Sequence, residues 1–135
     1  MNHVQEFRDA GGRLLAYKIG TAWPAGLQAY SRDADFVQVL SWNYGRGKKL
    51  QAHVHREVPR TAGLTQEAIV VLHGRARADL YNDRRAVIAQ SEVAQGECMV
   101  FLAGGHGYEI LEDDTRILEI KNGPFPGVEA DKEKF

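Results

Sequence analysis

Short stretches in which apolar and polar residues alternate at period two, each closed by Gly, Asp, Asn or Pro, recur along most of this chain. They allow little besides strands. The rhythm predicts strands over roughly 13–19, 36–42, 50–55, 65–72, 75–81, 86–93, 97–102, 107–111 and 116–121. Asn82-Asp83-Arg84-Arg85 tolerates the backbone angles of a hairpin turn, so the strands on either side are expected to pair antiparallel. Helical periodicity is weak throughout, and the tail after Gly123, with Pro124 and Pro126, reads as an irregular arm. An all-β domain follows, with a sandwich, a closed barrel and a jelly roll all open on periodicity alone.

The chain of 135 residues is the size of one domain, residues 1–135, and its 44% hydrophobic content is enough to build a core. A net charge of −1 gives no overall field to recruit nucleic acid or an anionic membrane, so a small-molecule ligand is the expected partner. The opening MNHVQEFRDAGG lacks the apolar stretch of a signal peptide, and no apolar run nears the ~20 residues that span a bilayer. A cytoplasmic location is expected. The single cysteine, Cys98, lies in an apolar run and reads as a buried, unreactive thiol.

His53 and His55 are one residue apart in an expected strand, so both rings leave the same face and can reach one ion. Around them the sequence resembles the two motifs of the cupin superfamily. The first, G(x5)HxH(x3,4)E(x6)G, is matched by Gly47, five residues, His53-Val54-His55, and then by Glu67, six residues and Gly74. The departure is an insertion, Arg56 to Gln66, between His55 and Glu67, which leaves the neighbouring Gln66 as an alternative to Glu67. The second, G(x5)PxG(x2)H(x3)N, is matched in part by Gly96, Gly104 and His106. Leu102 takes the proline position, His106 arrives one residue early, and Ile110 replaces the asparagine.

The resemblance implies a single cupin-type double-stranded β-helix, a jelly-roll barrel. It also implies one divalent transition metal (Fe, Mn, Zn or Ni) held by His53, His55, Glu67 and His106, and association as a homodimer. The stretch 36–42 and the N-terminal segment are the expected dimer surface. Imidazole nitrogens with one carboxylate suit such ions, and four protein ligands leave coordination positions for substrate.

Alternation puts Tyr108 beside His106 as a substrate contact, and puts Glu119 and Lys121 on a common face. If that face is interior, the pair can act as acid and base. If it is exterior, it is a solvated ion pair. His73 is expected to be a satisfied structural histidine, and Arg75, Arg77 and Asp79 a charged outer face. No complete phosphate loop or nucleophile elbow is present. The expected function is a metal-dependent enzyme on a small sugar-like or oxo-acid substrate, working by isomerisation, epimerisation or oxygen chemistry. A non-catalytic binding module is the alternative.

Overall fold

The computed structural model describes residues 3–135. Ten strands form in chain order. They are β1 (Val4–Arg8), β2 (Leu14–Ile19), β3 (Gly26–Ala29), β4 (Leu40–Asn43), β5 (Glu67–His73), β6 (Arg75–Tyr81), β7 (Val87–Ala94), β8 (Cys98–Phe101), β9 (Gly105–Ile110) and β10 (Arg116–Lys121). One short helix follows, α1 (Val128–Asp131). All strand pairings are antiparallel. The all-β expectation holds, and no helix among the described residues is long and apolar enough to cross a membrane.

A five-stranded sheet runs β1-β2-β8-β5-β10, a three-stranded sheet runs β7-β6-β9, and β3 and β4 make a separate pair. The main core joins the two larger sheets. Ile69, Val71, Met99 and Phe101 come from one, and Ala78, Leu80 and Val93 from the other. Tyr17, Ile19, Ala68 and Val100 point the opposite way, as alternation requires, and are packed against Val37, Val39 and Tyr30 of the β3–β4 connection. Cys98 borders this second cluster, and burial pushes its thiol up to about 11, in keeping with an unreactive thiol.

Gln66 pins that connection to the sheet. Its Oε1 accepts the backbone N–H of Phe36 at 2.7 Å and of Val37 at 3.4 Å, and its Nε2 donates to Leu102 O at 3.4 Å. A side chain committed to the outer layer does not substitute for Glu67, so Glu67 is the member of the pair that faces the core. Gln66→Ala leaves buried N–H groups without acceptors, and we expect it to cost about 2 kcal/mol in urea denaturation. A loss below about 0.5 kcal/mol would refute the pinning role.

The expected strand over 50–55 is absent: residues 44–66 form one long connection without regular structure, exposed over 44–64. Alternation alone does not hold a strand without a neighbour to share its backbone hydrogen bonds. This stretch carries Arg46, Lys48, Lys49, Arg56 and Arg60 together with Pro59 and three glycines, and its central Val54 is 88% exposed. Connections of this length within a compact domain are uncommon and are commonly functional.

Candidate active site

Glu67 opens β5 and is paired in register with Phe101 on β8 and Lys121 on β10, so all three project from the same face of the sheet. Opposite them, β9 pairs with β6 so that His106 lies across from Leu80 and Tyr108 across from Ala78. Leu80 and Ala78 are core residues, so His106 and Tyr108 also face inward. The result is a meeting of both sheets at one carboxylate. His106 Nε2 and the Tyr108 hydroxyl each donate to Glu67 Oε1, both at 2.8 Å. Phe101 stacks on the His106 ring at 4.2 Å between centroids and meets Tyr108 edge-on at 5.6 Å.

The electrostatics follow from this geometry. Burial alone would raise the Glu67 carboxyl, but the His106 hydrogen bond and charge, the Tyr108 hydroxyl and the Lys132 ammonium together carry it below its ordinary value. Burial raises the Tyr108 phenol, and the adjoining Glu67 carboxylate pushes it further up. Glu67 is thus a carboxylate and Tyr108 a neutral donor over the whole physiological range. With Glu67 ionised, His106 Nε2 must carry the proton it donates.

Glu119 and Lys121 lie on the Glu67 side of the sheet, since Glu119 is paired with Ile69 and Lys121 with Glu67. Their ion pair spans 3.3 Å and is half-exposed on the edge strand. The Glu119 hydrogen bond raises the Lys121 ammonium. The pair therefore stands beside the site on the inward face of β10. Arg75, Arg77 and Asp79 form the expected charged outer face, with Arg77 bridging Asp79 at 2.8 Å and Glu109 at 3.0 Å. His73 is exposed and bonded through Nδ1 to Asp114 O at 3.1 Å.

His53 and His55 lie side by side with ring centroids 5.0 Å apart, but on the exposed part of the 44–66 connection. Among the described residues, no three His, Cys, Asp or Glu side chains gather as metal ligands would. The four residues of the expected metal site are thus present as two pairs, Glu67 with His106 and His53 with His55. Compared with protein-family models, curated proteins and solved structures, the chain matches none.

A cavity of about 200 Å³ opens beside His106 and Phe101, with Arg13, Thr65, Asp83 and Gly104 among its lining. Arg13 and Asp83 pair across it at 3.0 Å. Sequence reasoning had no access to this pair, which comes from two separate turns, nor to Phe101, hidden in a uniformly apolar strand. The one signal for Phe101 is its place in the strand that runs into Gly104-Gly105 and His106.

Proposed function

We propose that this chain is a cupin-type metalloenzyme on a small polar substrate, with Glu67 and His106 as metal ligands, Tyr108 beside them as a substrate contact, and Lys121 and Glu119 as a neighbouring acid–base pair. The supporting observation is the convergence of Glu67 and His106, one from each expected motif, on the same point between the two sheets at 2.8 Å. Two ligand atoms each about 2.1 Å from one ion and cis to one another stand ~3 Å apart, so an ion that replaced the shared proton would find this pair at the separation of co-ligands. The donor set, carboxylate with imidazole, suits Mn, Fe, Ni or Zn. His53 and His55, adjacent to one another on a long connection, would complete the set.

A bound ion would supply Lewis acidity toward a carbonyl or hydroxyl oxygen. The protein groups do the rest. Tyr108 holds a proton that burial and the neighbouring carboxylate keep in place. Lys121, held charged by Glu119, is the available acid, and Phe101 fixes the orientation of the His106 ring and keeps water from its stacked face. Two antiparallel sheets around one core agree with a jelly-roll barrel, the architecture that the motif resemblance implies.

The test is elemental analysis of protein purified without chelator or affinity-tag metal, alongside a variant carrying His53→Ala and His106→Ala. We expect near-stoichiometric metal in the parent and affinity lowered more than about 100-fold in the variant. Iron or manganese would direct assays to oxygen uptake and sugar isomerisation, whereas zinc or nickel would favour redox-neutral proton transfer. A parent that takes up no metal even after reconstitution would sink the metalloenzyme reading. Lys121→Ala separates an enzyme from a binding module, because turnover should stop while metal uptake persists.

A further inference from the structure

The arm that follows β10 is tied at both ends of its course. Asn122 accepts the Gln66 N–H on Oδ1 at 2.8 Å and donates to Leu64 O at 3.3 Å. At the end of α1, Asp131 accepts the hydroxyl of Thr65, two residues before Glu67. Beyond α1 the chain reaches the other sheet. Glu133 pairs with Arg85 at 2.6 Å, and the Phe135 ring lies edge-on to Tyr81 at 5.1 Å with the Arg85 guanidinium 5.0 Å from its centroid. Gly105, the residue before His106, forms the floor of this seat: a methyl group added there would stand 3.0 Å from the Phe135 ring.

Residues 131–135 therefore run from the start of β5 to the turns flanking β6 and β9, the strands that bring Glu67 and His106 together. We propose that residues 128–135 form a strap over the Glu67–His106 site, which must lift Phe135 from Tyr81, Arg85 and Gly105 before a ligand can sit against both residues. The grip suits a part that opens. No residue of α1 is buried, the Arg85–Glu133 pair is exposed to screening by salt, and beyond the Thr65–Asp131 hydrogen bond at its hinge end a single aromatic ring supplies the remaining hold.

The proposal takes its location from the site reading but not its chemistry, so the test uses no metal. Histidine modification by diethyl pyrocarbonate, followed residue by residue with mass spectrometry, reads access to His106, with exposed His73 as the internal reference. With the strap down, the His106 side chain retains only 27% of its exposure, and it should label more slowly than His73. Phe135→Ala removes the aromatic and cation–π contacts and should speed His106 labelling about tenfold. Glu133→Gln removes one surface ion pair and should speed it about threefold. His73 should keep its parental rate in both. If Phe135→Ala loses its thermal unfolding transition, Glu133→Gln alone decides. Parental His106 rates in the folded variants would overturn the strap.

Discussion

Gly104→Ala should lower stability by about 3 kcal/mol, or roughly 10 °C in melting temperature, while Gly63→Ala should change it by less than about 0.5 kcal/mol. Gly104 has φ of 71°, in the left-handed region that costs a residue bearing Cβ about 1–2 kcal/mol. The site is also closed on the side where the methyl would go. It would run into the Tyr81 carbonyl oxygen, with Leu15 Cδ1 3.4 Å away. A carbonyl in the register of β6 and β9 cannot move aside without disturbing the pairing that places His106. Gly63 has no atom near its would-be Cβ and no positive φ. Urea denaturation of the two variants followed by tryptophan fluorescence gives the comparison, and equal losses would show that backbone geometry at Gly104 is not limiting.

Replacing Glu67 should affect function and stability in separable ways. Glu67→Leu leaves the His106 N–H and the Tyr108 O–H without their shared acceptor in a half-closed site, at a cost of about 2–3 kcal/mol. Glu67→Gln keeps an acceptor oxygen and should cost less, yet it removes the negative charge of a proposed metal ligand, and if the proposed function holds we expect turnover to fall about 100-fold or more. Acid stability adds a second readout. Because the folded-state carboxyl lies below its ordinary value, its contribution is complete above the unfolded value of 4.5 and is lost as pH falls through the lower folded value. Glu67→Gln should therefore show a shallower loss of stability in that acid range. Identical acid profiles in parent and variant would mean that His106 and Tyr108 do not hold the carboxylate.

The strands best read from the sequence are those with strong punctuation. β6 and β10 have the expected bounds because alternation is unbroken within them and Gly74, Asn82, Thr115 and Asn122 stand at their ends. The hairpin at 82–85 also forms as expected, with Asn82 Oδ1 accepting the N–H groups of Arg84 and Ala86 at 3.0 Å each. β1 and β3 escaped notice because VQEFR and GLQA contain too few apolar residues to show a period, and pairing with β2 and β4 holds them. Residues 50–55 failed in the opposite sense, having a period but no partner strand. The same division runs through the site. Glu67, His106 and Tyr108 were legible because alternation within paired strands decides which way a side chain points. The placement of His53 and His55 depends on a connection whose course no local pattern dictates. Phe101, the Arg13–Asp83 pair and the strap required tertiary geometry.

Gln66 and Glu67 stand back to back, one clamped to the outer layer and the other turned to the interior. In a strand, a slip of one residue exchanges the two faces, so a connection that gains or loses a residue ahead of β5 threatens to turn the carboxylate outward. The Gln66 amide prevents this, because only one phase of the chain satisfies Phe36, Val37 and Leu102 together. A change in length ahead of Gln66 therefore need not turn Glu67 outward, as long as the Gln66 amide keeps its three partners.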